Sequence, residues 1–154
     1  MEIADLMGVE GVVANLRATS KKQALQALVA QAAKLTGLNE RTLFDVLLER
    51  ERLGTTGVGR GVAIPHGKLR ELKRLHGLFT RLEQPVPFDA VDDEPVDLIF
   101  LLLAPESAGA DHLKALARVS RLLRDRAITQ RLRSAEDAAA LYAILAETPA
   151  TKAA

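Results

Sequence analysis

The chain has 154 residues and a mass of 16.6 kDa, which suits one domain, and 48% hydrophobic residues are enough to build a core. The net charge is only +1, so there is no general attraction to nucleic acid or to anionic membranes. The absence of cysteine excludes disulfides, thiol catalysis and cysteine-ligated metals, and 3% aromatic content disfavours stacking on single-stranded nucleic acid.

Neither a secretory signal nor a membrane span is predicted. Acidic residues occur within the first ten positions, where a signal peptide would be basic and then apolar. The longest apolar run, 98–104, is much shorter than the roughly 18 residues that a membrane span needs. We therefore expect a cytoplasmic protein.

The first third of the chain predicts a strand and two helices. Apolar residues at 12–16 are typical of a short strand. Ser20 and Gln23 fit a capping box, and apolar side chains then recur at helical spacing until a glycine. Asn39 fits the N-cap of a second helix, which is expected to end near Gly54.

The middle of the chain predicts three strands. Residues 62–64 fit a short buried strand that Pro65 ends, and residues 75–82 fit a second strand. Several prolines between 85 and 95 predict loops and edges, because proline cannot donate to a central ladder. The third strand, 96–104, is apolar throughout and is predicted to be buried on both faces.

The last third predicts helices. One predicted apolar stripe consists of Leu113, Leu116, Ala117 and Leu123. Ser134 fits the N-cap of a final helix. Helices before, between and after strands are typical of an α/β sandwich.

These elements predict the fold class and the extent of the domain. We expect a single-domain α/β sandwich, in which a mixed, mostly parallel sheet of roughly five strands has helices on both faces. The domain is expected to span residues 1–147. Residues 148–154 are expected to form a flexible C-terminal tail.

Five of the ten glycines lie within residues 54–67, together with Thr55, Thr56 and His66. The segment is not a dinucleotide-binding fingerprint, because Val62 stands where the third glycine should be. It also lacks the spacing and the Ser or Thr of a Walker A loop. Two interpretations stay open: a flexible turn, or a shallow surface where amides and hydroxyls surround an imidazole.

His66 is the most informative titratable residue of the sequence. It follows an apolar strand and a proline, so we expect it to project from the end of a sheet, where α/β folds usually bind ligands. Gly67 lacks a Cβ, which would let an anion or another protein's backbone approach closely. The alternative is a histidine that merely ends the strand.

Two further side chains could join His66. His112 lies near the start of a predicted helix, where amides and the helix dipole favour an anion. Parallel pairing of 62–64 with 96–104 would bring His112 to the same sheet edge as His66. Arg50, at the end of the second predicted helix, could carry its guanidinium to the glycine segment. Otherwise both are ordinary helix-end residues.

No metal or other cofactor is expected. His76 fits a structural or surface role within a predicted strand. A zinc site made by the three histidines of the chain is conceivable, but no HExxH or comparable close ligand pair supports it.

Four sequence blocks together resemble one known family. The block 50–68, with its Ala-Ile-Pro-His-Gly ending in Lys68, resembles the enzyme IIA family of the bacterial phosphotransferase system, of the mannitol/fructose type. Further similar blocks lie at 20–25, 88–98 and 112–123, so the resemblance covers nearly the whole chain. The last two blocks, with the His-Gly-Lys-Leu ending, are most similar to the nitrogen-regulatory branch (the PtsN type).

The resemblance implies that His66 is the phosphorylated residue, which accepts a phosphoryl group from an HPr-like phosphohistidine protein in a phosphoenolpyruvate-dependent relay. Nε2 is the expected acceptor atom, giving a tele-phosphohistidine. Arg50 and His112 match positions that line the family's active site, and a protonated His112 could assist Arg50 there. Support for phosphate or partner contacts is expected from Thr55, Thr56 and Gly67.

The resemblance also implies a regulatory output. Phosphorylation adds about −1.5 to −2 charges, enough to change which targets bind. Among these targets the branch suggests potassium-transport and sensor-kinase proteins, and neither nucleic acid binding nor membrane insertion is expected. The chain would be an enzyme only as a protein-histidine phosphotransferase, not as a hydrolase or metalloenzyme.

Two rivals to the regulatory carrier are kept. One is a sugar-specific enzyme IIA that passes phosphate to a IIB component for fructose- or mannitol-type uptake. The other is a protein-binding module in which His66 is never phosphorylated.

Overall fold

The computed structural model describes residues 1–147, which hold six strands and five α-helices. The strands are β1 (Val12–Leu16), β2 (Gly57–Gly59), β3 (Val62–Ala63), β4 (His66–Leu69), β5 (His76–Val86) and β6 (Val96–Pro105). The helices are α1 (Lys21–Thr36), α2 (Glu40–Leu53), α3 (Ala110–Arg124), α4 (Arg126–Ser134) and α5 (Ala138–Leu145). The tail expected at 148–154 lies outside the described residues. None of the helices within 1–147 is long and apolar enough to cross a membrane.

The strands form one mixed sheet in the order β1-β5-β6-β3-β2, and β4 also pairs with β6. The pairs β1–β5, β3–β6 and β4–β6 are parallel, whereas β5–β6 and β2–β3 are antiparallel. The short connection from β5 to β6 permits antiparallel pairing, and the parallel pairs require longer crossovers. The predicted α/β fold with a mixed, mostly parallel sheet is confirmed, with six strands instead of about five.

Helices cover both faces of the sheet, and β6 is buried between them as predicted. Residues Leu98, Phe100 and Leu102 of β6 belong to the core beneath α3, α4 and α5. The alternate residues Ile99, Leu101 and Leu103 belong to the core beneath α1 and α2. A strand that faces apolar layers on both sides has no polar alternation, which is why β6 is an unbroken apolar run.

Local capping fixes the starts of the first two helices. Ser20 Oγ accepts a hydrogen bond from Gln23 N at 3.2 Å, as the sequence predicts. The reciprocal bond of the predicted capping box is displaced by one residue, because Gln23 Oε1 accepts from Thr19 N at 2.8 Å. Asn39 caps α2 as predicted, and Gly37 ends α1 with a φ of 76°.

Two predictions in the C-terminal third are wrong. Ser134 does not cap the final helix; it is the last residue of α4, and Asp137 caps α5 by accepting from Ala140 N at 2.8 Å. Leu113 is 68% exposed and does not belong to the buried face of α3. That face consists of His112, Ala115, Val119, Leu122 and Leu123. The helix packs through a face offset from the predicted stripe, because contact with β6 selects the orientation.

Strand β3 ends at Ala63, before Pro65 as predicted, but the chain does not leave the sheet at the proline. Pro65 lacks an N–H, but its carbonyl accepts from Leu102 N at 2.9 Å, and the chain resumes pairing with β6 at His66. His66 therefore begins β4 and does not project beyond the end of the sheet. Similarly, β5 runs past Pro85, where an irregular register between Arg81 and Val86 accommodates the missing donor.

Candidate functional site

Three elements bring the candidate residues together. His66 opens β4, His112 lies in the first turn of α3, and Arg50 lies in the last turn of α2. The parallel pairing of β3 with β6 that the sequence predicts is confirmed. Since β6 leads through a short turn directly into α3, this pairing carries His112 to His66: the two ring centroids are 5.7 Å apart and the ring planes are inclined by 53°.

The Arg50 guanidinium bridges His66 and the glycine segment. Its Nε donates to His66 Nε2 at 3.3 Å, and its Nη1 donates to the carbonyl of Gly54 at 2.9 Å. One cation thus lies directly against one nitrogen of the imidazole. An anion attached to that nitrogen would meet a guanidinium already in place.

The partners of the His66 ring determine its tautomer. Nδ1 lies 2.9 Å from the carbonyl oxygen of Ile64, which can only accept, so Nδ1 carries the hydrogen. Nε2 then presents its lone pair, which accepts from Arg50. This arrangement leaves Nε2 as the nucleophilic nitrogen of a neutral imidazole.

The surroundings keep His66 neutral. Burial lowers the pKa of His66, and the Arg50 charge lowers it further. The hydrogen bond to Ile64 and the negative charge of Glu51 oppose this shift in part. The pKa stays below its ordinary value of 6.5, so the unprotonated ring dominates at neutral pH.

His112 is more deeply buried, with 6% of its surface exposed. Among residues 1–147, its Nδ1 has no hydrogen-bond partner. A buried N–H without an acceptor costs about 1–3 kcal/mol, so the favoured tautomer leaves Nδ1 bare and carries the hydrogen on Nε2. Burial, His66 and Lys68 all lower the pKa of His112. The lowered pKa disfavours the protonated His112 that was considered as a partner of Arg50.

The two threonines use their hydroxyls inside the glycine segment. Thr55 Oγ1 donates to the carbonyl of Phe88 at 2.9 Å and accepts from Gly57 N at 3.0 Å. Thr56 is buried, and its hydroxyl donates to the Glu51 carboxylate. Both residues fix the shape of the segment that adjoins Arg50.

Gly67 is required for packing. A Cβ on Gly67 would lie only 2.7 Å from Cγ1 of Val46 on α2. The space opened by the missing side chain is therefore filled by Val46 and not by an approaching anion or backbone. Gly67 therefore permits a close approach, as predicted, but the approaching group is Val46 of the same chain and not an external one.

Three charged residues at the site were not singled out from the sequence. The Glu51 carboxylate, 9% exposed, pairs with Lys21 Nζ at 2.8 Å. Lys68 lies exposed on β4, and its charge contributes to the lowered pKa of His112. In a single sequence, charged residues such as these look like part of an exposed surface. The one indication for Glu51 was its position next to Arg50 and five residues before Thr56.

His76 lies apart from the histidine pair. It lines a different cavity, of about 320 Å³, with Arg74, Glu10 and Tyr142 among its other walls. Within the described part of the chain, no group of three or more His, Asp or Glu side chains is placed to hold a metal ion.

The histidines predict how stability depends on pH. The pKa values of His66, His76 and His112 all lie below 6.5 in the folded protein, chiefly because of burial. The unfolded chain therefore binds more protons below this pH. The free energy of unfolding should not depend on these histidines well above pH 6.5, and it should fall as the pH drops below 6.5. Urea unfolding at pH about 7.5 and about 5.5 measures the change. A His76→Gln chain should show a smaller decrease; stability that rises on acidification over this range would contradict the assignment.

Comparisons with known proteins agree over nearly the whole chain. A family model described as "Phosphoenolpyruvate-dependent sugar phosphotransferase system, EIIA 2" matches residues 5–148. A nitrogen regulatory protein of Bradyrhizobium diazoefficiens is 61% identical over 153 residues, covering 99% of this chain and 100% of that protein. The nitrogen regulatory protein of Escherichia coli K12 is 40% identical over 152 residues, covering 98% and 93%. The crystal structure of nitrogen regulatory protein IIA-Ntr from Neisseria meningitidis aligns with a TM-score of 0.89 at 36% identity, covering 93% of this chain and 98% of that one.

Proposed function

Because the chain belongs to the EIIA 2 family of the phosphoenolpyruvate-dependent sugar phosphotransferase system, we propose that it carries a phosphoryl group on Nε2 of His66. The proposed donor is an HPr-like phosphohistidine protein. The observation that carries the proposal is the ring geometry: the Ile64 carbonyl holds the hydrogen on Nδ1, and Nε2 faces the Arg50 guanidinium.

The proposed transfer exchanges one P–N bond for another. The Nε2 lone pair of His66 attacks the phosphorus of the donor's phosphohistidine, and the electron pair of the breaking bond returns to the donor's ring nitrogen. Nδ1 of His66 keeps its hydrogen and its bond to the Ile64 carbonyl throughout. The reaction consumes no water and no oxidant, so positioning and charge stabilisation are what the protein must supply.

Arg50 supplies the charge stabilisation in this proposal. In the unphosphorylated protein the Nε–H of Arg50 donates to Nε2 of His66. Once Nε2 carries the phosphoryl group, the same N–H would donate to a phosphoryl oxygen. Neutral His112 would add a hydrogen bond through Nε2–H without a second full charge. A site of this modest positive charge stabilises the transferring group without preventing its departure.

Exposed apolar side chains beside the site support a protein partner. Leu53, at the end of the helix that carries Arg50, is 84% exposed, and Leu113, next to His112, is 68% exposed. Both leucines are available to a docked protein as apolar contacts near the ends of the elements that carry Arg50 and His112. A phosphohistidine protein could dock there and place its phosphoryl group over His66.

A regulatory output in the cytoplasm is the second part of the proposal. Nitrogen regulatory proteins that match over almost their full length support it. The added negative charge would change which targets dock, and potassium-transport or sensor-kinase proteins are the classes that the branch suggests. The rival is a sugar-specific enzyme IIA, because the matching family is described as part of a sugar phosphotransferase system.

The test is phosphorylation of the full chain with phosphoenolpyruvate, enzyme I and an HPr-like carrier. With labelled phosphoenolpyruvate we expect one phosphoryl group per chain, and we expect no labelled chain when the carrier is omitted. A sugar-specific protein should then discharge rapidly onto a IIB component, whereas a regulatory carrier should retain the group. A chain that takes no label from the complete system would contradict the proposal and favour the binding module.

A further inference from the structure

A buried carboxylate lies next to Arg50 and touches neither histidine. Glu51 is 9% exposed, and both of its oxygens are occupied. Oε1 accepts from Lys21 Nζ at 2.8 Å and from Thr56 N at 3.1 Å, and Oε2 accepts from the Thr56 hydroxyl. Burial of a charge is costly unless it is paired and hydrogen-bonded, so a carboxylate this fully satisfied is a built feature of the fold.

Glu51 and Arg50 hold opposite ends of the segment 54–56. Arg50 Nη1 binds the carbonyl of Gly54, and the Glu51 carboxylate binds the amide and hydroxyl of Thr56. These adjacent residues of the last turn of α2 therefore clamp the chain that follows them. Because the same guanidinium also meets His66, any movement of this segment changes the approach of Arg50 to Nε2.

Lys21 extends the same arrangement to two more parts of the molecule. It is the first residue of α1, and its Nζ lies 3.5 Å from the carbonyl oxygen of Phe88 and 4.6 Å from the centroid of the Phe88 ring. Thr55 donates to that same carbonyl at 2.9 Å. The carboxylate of Glu51 thus lies at the centre of contacts that join α1, α2, the glycine segment and the chain after β5.

We propose that Glu51 is a positioning residue for phosphoryl transfer, which fixes the segment 54–56 and through it the Arg50 guanidinium at His66. This inference rests on the proposed carrier function. Glu51 does not touch the phosphoryl group; it acts through Thr56 and Arg50. The negative charge of Glu51 also opposes, in part, the lowering of the pKa of His66 by burial and Arg50.

The variant Glu51→Gln tests this role, because it keeps the size of the side chain and removes its charge. We expect phosphoryl acceptance to slow about 10-fold to 100-fold, the effect of a small misplacement of a stabilising group. We also expect the NMR signal of Arg50 Nε–H to move, since the guanidinium would no longer be held at His66. The pKa of His66 should fall further.

The matched control is Asp97→Asn, which breaks a similar ion pair elsewhere. Asp97 binds Arg133 through two hydrogen bonds of 2.9 Å at the start of β6. This variant should lose stability but accept the phosphoryl group at the rate of the unaltered chain. It should also leave the Arg50 signal in place, which separates positioning from a general loss of stability.

The outcomes distinguish this inference from the proposed function. If the unaltered chain takes no label, the carrier function fails, and an unmoved Arg50 signal in Glu51→Gln would independently overturn the positioning role. If the unaltered chain is labelled and Glu51→Gln is labelled equally fast, the positioning role alone fails. Should Glu51→Gln not fold, Thr56→Val removes one donor and keeps the carboxylate; we expect slower labelling, and an unchanged rate overturns the inference.

Discussion

A His66→Ala chain is expected to accept no phosphoryl group from an HPr-like carrier, whereas the unaltered chain accepts one. The reason is chemical: in the proposed transfer Nε2 of His66 is the nucleophile, and no neighbouring side chain in the site is placed to replace its lone pair. His112, the nearest imidazole, lies with its ring centroid 5.7 Å away and is largely buried. Intact mass after incubation with phosphoenolpyruvate, enzyme I and the carrier measures the uptake.

His76→Ala is the matched control for that experiment. His76 is partly buried on β5 and lines a separate cavity, so its removal should leave phosphoryl acceptance unchanged. Uptake that persists in His66→Ala and disappears in His76→Ala would refute the assignment of the acceptor.

The second large effect is expected at Arg50. Arg50→Met removes the donor that lies 3.3 Å from His66 Nε2 while keeping an unbranched side chain on the helix. Loss of a preorganised charge at a transferring group costs roughly 10²–10³ in rate, and we expect phosphoryl acceptance to slow by about that factor. Rapid-quench measurement of label transfer from the phosphorylated carrier gives the rate.

Two companion variants show whether charge or geometry is responsible. Arg52→Met removes an exposed arginine from the same helical turn, and it should transfer at the rate of the unaltered chain. Arg50→Lys keeps the charge but cannot bind both His66 and Gly54, so we expect an intermediate rate. Equal rates for Arg50→Met and Arg52→Met would contradict a stabilising role for Arg50.

The helices of the first half could be predicted because their signals are local. Ser20 and Asn39 cap α1 and α2 through bonds that reach only three residues along the chain. The cap of α5 was misplaced because Ser134 and Asp137 are both good caps, and the packing of α4 decides between them. Leu113 was assigned to the core because helical spacing does not fix the rotation of a helix against its sheet.

Of the short strands around the glycine segment, β3 was predicted from its apolar residues, but β2 and β4 were not. β2 has three residues, two of them glycines, and β4 has four, too few for a visible alternation. Pro65 indicates the end of a strand in the sequence, and β3 does end at Ala63, yet the Pro65 carbonyl accepts from Leu102 N and pairing with β6 resumes at His66. β3 and β4 pair with β6, which lies more than 30 positions further along the chain, so their pairing cannot be predicted from the local sequence.

The proximity of His66 and His112 could be predicted only as far as the strand pairing could be predicted. The expected parallel pairing of β3 with β6, which β4 continues, brings His66 and His112 together. The resemblance to the enzyme IIA family and its nitrogen-regulatory branch is confirmed. The contacts of Glu51 with Lys21 and Thr56 were not predicted, because a buried ion pair between distant residues looks like two surface charges in one sequence.

Phosphorus and nitrogen NMR of the phosphorylated full chain identifies the atom that carries the phosphoryl group. We expect it on Nε2 of His66, with the hydrogen still on Nδ1, where the Ile64 carbonyl accepts it at 2.9 Å. A phosphoryl group found on Nδ1 of His66, or on any other residue, would contradict this expectation.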